Sequence, residues 1–189
     1  MKKILMLLIC IPFYAFSQSH DGFKLTSQGF ISSSDSTKNY IVVEVPGKSQ
    51  AELYKKTMLY LSGIYVSPKE VLSTVEGEAI TVNAIAEKAV KMKVLYLNPS
   101  WDVNYTITFQ FKEGKVRILQ PSINSLATRT GDIYRTAHIS GGSGPNHKEI
   151  YNRKGELKQK DGRENLELMI NAYVDAAVKG ITSSKQDNW

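Results

Sequence analysis

The chain has 189 residues, with 24 lysines and arginines against 18 aspartates and glutamates, and a formal charge of +6. A single cysteine excludes an internal disulfide framework and a metal site built on several cysteines. The excess of positive charge is too small to indicate nucleic-acid binding by itself.

The first 17 residues have the pattern of a signal peptide. Two lysines precede an apolar run over 4–16, and small residues at Ala15 and Ser17 precede a cleavage point at Gln18. The run is too short to span a bilayer core of about 30 Å. We therefore expect an exported protein, periplasmic or extracellular, with no transmembrane segment in the mature chain. The cysteine and two lysines would leave with the signal, which lowers the formal charge from +6 to +4.

The start of the mature chain is predicted to be a flexible lead-in over 18–38, with a possible short strand over 23–31 before a polar, serine-rich run. Almost every residue of 40–45 is β-branched or aromatic, which predicts a strand at a sheet centre or covered on both faces.

A helix is predicted after this strand. Ser49 as N-cap and Glu52 three residues later form a capping box, in which each side chain bonds the other residue's backbone amide. Apolar residues then recur at helical spacing over 53–65, so one face of the helix should pack on the sheet.

The next segment predicts strands over 71–75 and 79–85 around a Gly77-Glu78 turn. Residues 84–97 fit both a helix, by composition, and a strand, by alternation. We interpret them as a strand from about Lys91.

The clearest pattern is a β-hairpin over 103–119. Five apolar residues alternate with polar ones along 103–112, and Glu113-Gly114 supplies the turn. This turn places Phe111 opposite Val116 and Phe109 opposite Ile118. It places Gln110 opposite Arg117 on the other face of the hairpin.

A loop-rich insertion is predicted over about 125–160. Its glycine-rich run 140–145 is typical of a flexible loop, and short strands over 133–139 and 149–151 are expected to pair across it. The last helix is predicted to begin at Asp161 with a capping box to Glu164, to present an unbroken apolar stripe over 166–181, and to end at Gly180. Residues 182–189 are predicted to be a disordered tail.

Ser143 and the two neighbouring histidines were weighed as a catalytic set. The sequence Gly141-Gly142-Ser143-Gly144-Pro145 departs from a nucleophile elbow, because proline replaces the last glycine and no strand-to-helix context surrounds it. A serine hydrolase using the 138–147 loop, with His138 and His147, stays an alternative. No catalytic residue is assigned.

Other constellations give no metal or cofactor. His138, His147 and nearby acids lack the short fixed spacing of a metal site. Trp101 could line a groove, although aromatics that flank a strand usually belong to the core. The basic cluster around Gly155 is typical of a solvated hairpin, with an anionic glycan, a lipid headgroup or an acidic protein as the functional alternative.

The strand that ends in Val45-Pro46-Gly47, the helix that begins Ser49-Gln50-Ala51-Glu52, and the Lys112-Glu113-Gly114-Lys115 hairpin together make about 39–123 resemble a known family. This is the secreted bacterial family called domain of unknown function 4468, or DUF4468, with a TATA-binding-protein-like (TBP-like) fold. The resemblance implies an antiparallel sheet with helices on one face. It brings no catalytic residues, and a fold name does not imply DNA binding.

Taken together, the sequence predicts a single α+β domain over 39–181, an antiparallel β-sheet with two main helices packed on one face. We expect a non-enzymatic protein that binds a small molecule, a peptide or a cell-envelope partner, and no nucleic acid. The alternatives are the hydrolase and a structural or assembly subunit of the envelope. The predicted binding residues are Trp101, Arg129, Arg135, His138 and His147.

Overall fold

The computed structural model describes residues 21–142, 144 and 147–183. The predicted signal peptide, Ser143 and residues 184–189 lie outside the described residues. The elements in chain order are β1 Phe23–Thr26, β2 Gly29–Ser32, β3 Tyr40–Glu44, α1 Gln50–Ile64, α2 Pro68–Val71, β4 Leu72–Val75, β5 Ala79–Lys91, β6 Ser100–Lys112, β7 Lys115–Leu119, β8 Ser122–Thr130, β9 Ile133–Ser140, β10 His147–Tyr151 and α3 Lys160–Thr182.

Eight of these strands form one sheet with β6 at its centre. One edge of β6 pairs with β5, and its other edge pairs first with β8 and then with β7. β4 extends the sheet beyond β5, β3 extends it beyond β7, and β9 and β10 extend it beyond β8. The β9–β10 pair is parallel, so the sheet is mostly antiparallel but mixed, a difference from the wholly antiparallel sheet that we predicted.

The predicted hairpin is confirmed in its bounds and its register. Phe111 lies opposite Val116, Phe109 opposite Ile118, and Gln110 opposite Arg117. The apolar side chains of β6 are all buried, as their alternation predicts: Val103, Tyr105, Ile107, Phe109 and Phe111. This hairpin fixes which face of the sheet forms the core.

The two long helices begin differently. α1 has the predicted capping box, with Ser49 Oγ accepting from the Glu52 amide and the Glu52 carboxylate accepting from the Ser49 amide. The predicted capping box of α3 is wrong, because its N-cap is Gln159 without a side-chain bond. Asp161 accepts a hydrogen bond from the Lys93 amide at 2.7 Å instead. A bond to the distant segment that follows β5 has replaced the local cap.

Gly180 does not end α3, which continues to Thr182, the first residue of the predicted tail. A Cβ atom at Gly180 would lie 2.3 Å from the Tyr60 ring, so this glycine allows α1 and α3 to approach closely. α1 also contacts β5, β6 and β7, and α3 contacts β5, β1 and β10.

The prediction of a flexible lead-in over 18–38 is wrong for the segment that forms β1 and β2. Phe23, Leu25 and Phe30 are buried in the core. Side chains of α3 bind the β1 backbone: Asn171 Oδ1 accepts from the Phe23 amide at 2.7 Å, and Glu167 Oε1 accepts from the Leu25 amide at 2.9 Å. These partners lie about 140 residues away in the chain, so local composition did not reveal them.

Two further predictions change in the middle and late parts of the chain. The ambiguous segment joins the strand before it, so that β5 runs from Ala79 to Lys91 with an irregularity between Ala86 and Val90. The insertion over 125–160 is largely strand rather than loop, since it contains most of β8 and all of β9 and β10. β9 and β10 pair with each other, as expected. The pairing is parallel, although only six residues connect the two strands.

Candidate functional site

One row of side chains crosses five strands on the face of the sheet opposite the buried hairpin residues. In an antiparallel pair, residues directly opposite each other have side chains on the same face. Val42 is opposite Arg117, Arg117 is opposite Gln110, Gln110 is opposite Ala79, and Ala79 is opposite Val75. The row therefore has an arginine near its middle and a valine at each end.

The rows on either side complete a groove. Lys115 lies opposite both Glu44 and Lys112 on one side of the first row, and Tyr40 lies on the other side. The groove has a volume of about 660 Å³. We call it the open-face groove and define it by Tyr40, Val42, Glu44, Val75, Gln110, Lys112, Lys115 and Arg117.

The positive charges of the open-face groove lie beside two carboxylates, Glu44 and Glu78, but form no ion pair with them. Arg117 places its guanidinium carbon 4.8 Å from the centroid of the Tyr40 ring, a cation–π contact that orients the side chain. Lys112, Lys115 and Arg117 form no ion pair within residues 21–142, 144 and 147–183. The groove therefore presents three cations to solvent beside a half-buried tyrosine.

Farther along the same face, the polar side chains bind one another. Thr81 and Thr108 hydroxyls are 2.9 Å apart, and Thr106 donates to Asn83 at 2.8 Å. Asn124 donates to Thr106 at 3.0 Å. This part of the face is a satisfied cross-strand network and leaves fewer groups for a ligand than the groove does.

His138 and His147 form the second candidate region, on β9 and β10. Their rings stack with centroids 4.6 Å apart, and His147 Nδ1 lies 3.2 Å from the Thr136 hydroxyl. A Cβ atom at Gly142 would lie 1.2 Å from His147 Nε2, so the ring packs directly against this glycine. That buried nitrogen has no hydrogen-bond partner in the described part of the chain.

The environment of His147 favours its neutral form. Burial is the main cause that lowers its pKa, and the neighbouring His138 lowers it further, while Glu149 acts in the opposite direction. A neutral imidazole stacked on a second ring is held in place. No described carboxylate hydrogen-bonds to it as the acid of a catalytic triad would.

The five predicted binding residues do not form one site. His138 and His147 are brought together, as described. Arg135 lies opposite Thr128, and Arg129 lies opposite Tyr134 with its Nε donating to the Gly131 carbonyl oxygen, so the two arginines point to opposite faces. A shallow groove of about 490 Å³ beside His138 is lined in part by Gln28, Gln120 and Ser140, and it contains none of the other four.

The prediction of Trp101 as a binding residue is wrong. Its side chain is fully buried, and its indole donates to the Met92 carbonyl oxygen at 3.1 Å. Trp101 is a core residue, as aromatics that flank a strand usually are. Its indole N–H needs a buried acceptor, and the segment after β5 supplies one.

The described residues contain no group of three or more His, Cys, Asp or Glu side chains placed to hold a metal ion. None of the described helices combines the length and the apolar character needed to cross a membrane. Ser143, the nucleophile of the hydrolase alternative, lies outside the described residues, so that alternative stays a prediction.

Residues 40–124 match the family described as a domain of unknown function (DUF4468) with TBP-like fold. The match covers less than half of the chain, so it shows what this segment is similar to. A TBP-like protein from Parabacteroides distasonis has a similar structure, with a TM-score of 0.53, 12% identity, and coverage of 77% of this chain and 92% of that one. A DUF4468 protein from Bacteroides ovatus has a TM-score of 0.45 and 14% identity, with coverage of 79% and 87%. At 12% identity the likeness to the Parabacteroides distasonis protein shows the fold alone. No curated protein matches the chain.

The DUF4468 match separates the two candidate regions. All eight residues that define the open-face groove, from Tyr40 to Arg117, lie within the segment that matches the DUF4468 family. His138 and His147 lie after its end at residue 124. The groove therefore belongs to the part of the chain that the family match covers.

Sequence reasoning missed the groove although it placed Gln110 opposite Arg117. The signal that was available is the polar face of the predicted hairpin, with Lys112, Lys115 and Arg117 close together. What could not be read from the sequence is that β3 pairs with β7 and brings Tyr40 beside Arg117.

Proposed function

We propose that the protein is an exported, non-enzymatic binding module that holds a small molecule or peptide bearing carboxylate groups in the open-face groove. The observation that carries this proposal is the set of three cations, Lys112, Lys115 and Arg117, which outnumber the two carboxylates of the groove and form no ion pair among the described residues. The export part of the proposal is supported by the signal-peptide pattern of residues 1–17.

The groove suits a carboxylate ligand for several reasons. An arginine offers a planar pair of N–H donors that matches a carboxylate, and the Tyr40 ring already orients the guanidinium of Arg117. Gln110 adds a neutral hydrogen-bonding group between Arg117 and Ala79 in the row. A volume of about 660 Å³ lies in the usual range of ligand sites.

The two ends of the row favour a ligand with an apolar part. Val42 and Val75 are 37% and 57% exposed, and they stand on β3 and β4 at opposite sides of the groove. We propose further that α1 and α3 together cover the other face of the sheet. In that arrangement the open face is the one left for a partner.

The test is a titration of ¹⁵N-labelled protein with acidic peptides and with the same peptides carrying amides in place of the carboxylates. We expect the acidic peptides to shift the Arg117 side-chain Nε–H signal and the backbone amides of β3 and β7. The shifts should weaken as salt is added, because the attraction is between exposed charges.

Two variants locate the binding. Arg117→Gln should abolish the shifts, whereas Arg129→Gln, which changes an exposed arginine of β8 outside the groove, should leave them unchanged. Equal binding of the amide peptides, binding that survives Arg117→Gln, or no shift with any peptide of the set would each contradict the proposal.

A further inference from the structure

The hairpin that joins β5 to β6 ends in an exposed apolar tip. Val94 and Leu97 exchange backbone hydrogen bonds of 2.9 and 3.0 Å, so Leu95 and Tyr96 are the two residues of the turn. Leu95 is 80% exposed and Tyr96 is 92% exposed. Large apolar side chains therefore occupy the part of the hairpin that is farthest from the core.

The backbone at the tip is unusual for such residues. Leu95 has a φ of 56°, in the left-handed region that a two-residue turn usually gives to glycine or asparagine. The Leu95 side chain gains little burial in the fold that would offset this strain. A strained, exposed leucine at a turn is reason to look for a role outside the fold.

The base of the tip is firmly anchored. Met92 and Val94 are buried, and the Met92 carbonyl oxygen accepts the indole N–H of Trp101. α3 binds the same segment, since Asp161 accepts from the Lys93 amide at 2.7 Å and Asn165 donates to the Lys91 carbonyl oxygen at 3.2 Å. The exposed residues are thus held at one place on the surface.

Two lysines stand behind the tip on its outer side. Lys91 and Lys93 alternate with the buried Met92 and Val94, so both project away from the core, four and two residues before Leu95. At about 3.3 Å per residue they lie roughly 13 and 7 Å behind Leu95. Neither lysine forms an ion pair with any described carboxylate.

We propose that this tip, residues 91–97, inserts into the surface of a bilayer that contains anionic phospholipids. Leu95 and Tyr96 would enter the boundary between headgroups and acyl chains, where tyrosine is favoured, and Lys91 and Lys93 would lie at the depth of the phosphates. A protein partner fits less well, because a convex tip with two exposed turn residues cannot supply the roughly 800 Å² that a stable interface buries on each side.

The experiment measures co-sedimentation of the intact protein with vesicles of two compositions. One contains phosphatidylcholine alone, and the other contains phosphatidylcholine with phosphatidylglycerol. We expect binding to the anionic vesicles that weakens with salt. The Leu95→Asn/Tyr96→Asn double variant should bind at least tenfold more weakly, and Lys91→Gln and Lys93→Gln should each reduce binding about fivefold.

Matched variants separate the tip from general stickiness. Asparagine accepts a positive φ, so the double variant should keep the turn and the unfolding temperature. Leu168→Asn changes an exposed leucine of α3 (68% exposed) and should leave vesicle binding unchanged. In a Tyr96→Trp variant, the added fluorescence should be quenched by brominated lipids.

Several results would overturn the proposal. These are no binding of the unaltered protein to anionic vesicles, equal binding by the double variant, or equal loss in the Leu168→Asn control. Self-association that the double variant abolishes, without vesicle binding, would instead identify a protein as the partner of the tip.

Discussion

The open-face groove and the stacked histidines are both built from side chains of neighbouring strands, but their polar groups are used differently. In the groove, register alone places Arg117, Lys112 and Lys115 together, beside the carboxylates of Glu44 and Glu78. On β9 and β10, the His147 ring contacts His138, Thr136 and Gly142. The histidines, which stand out in the sequence, are therefore largely engaged within the chain, whereas the cations form no ion pair among the described residues.

The largest expected effect is on stability, at Phe109 on the buried face of β6. It distinguishes this face from the open face of the same strand, which contributes to the groove. Phe109 is fully buried and lies between Ile80 and Ile118. Phe109→Asp places a charge in the core without a partner, and we expect it to unfold the domain, with a loss of more than about 4 kcal/mol. Circular dichroism with urea or thermal denaturation measures this loss.

Gln110→Asp is the matched control for that variant, since it makes the same acidic side chain at the next residue, on the open face. It should change the free energy of unfolding by less than about 1 kcal/mol. It should also weaken binding of acidic peptides. A cooperatively folded Phe109→Asp protein would contradict the assignment of the two faces.

A smaller effect is expected at the histidine pair. Gly142→Ala forces a methyl group into the space of the His147 ring, because no room exists between them. We expect a loss of about 1 to 3 kcal/mol and a changed His147 ring signal in NMR spectra. The residues of the groove should not be affected.

A double variant tests whether this clash is the cause. Combining Gly142→Ala with His147→Ala removes the ring that the methyl group would meet, so the two losses should be less than additive. Additive losses would mean that the glycine matters for its backbone and not for the ring.

The sequence was sufficient wherever a structure depends on neighbours in the chain. The alternation of 103–119 and the two residues Glu113-Gly114 predicted the β6–β7 register, and Ser49 with Glu52 predicted the start of α1. The apolar stripe of α3 was also correct, since Leu166, Ile170, Val174 and Ile181 are buried, among others.

The sequence was insufficient where distant residues decide. Asp161 has the same local pattern as a capping residue, but it accepts a hydrogen bond from the backbone of Lys93, 68 residues earlier and just beyond the end of β5. Gly180 resembles a helix stop, yet the absence of a side chain at this position leaves room for the Tyr60 ring. The groove likewise needs Tyr40 beside Arg117, a contact made by pairing β3 with β7, whose paired residues are 71 to 79 positions apart in the chain.

The smallest expected effect is the pH dependence of stability at the histidine pair. The pKa of His147 is lowered in the folded protein from its usual value of 6.5, mainly by burial and then by His138. The folded state therefore binds fewer protons at this ring than the unfolded state does. Its contribution to stability is fully present above about pH 6.5 and is lost as the pH falls below that value.

Urea denaturation between about pH 7.5 and pH 5 should show this loss as a fraction of a kcal/mol, since the ring is partly open to solvent. His147→Gln should lose less stability over the same interval, because protonation of the carboxylates is common to both proteins. In His138→Gln, the pKa of His147 measured by NMR should move back toward its usual value. An NMR titration in which His147 of the unaltered protein protonates at or above pH 6.5 would show that its surroundings do not hold the ring neutral, and this part of the contrast with the groove would then fail.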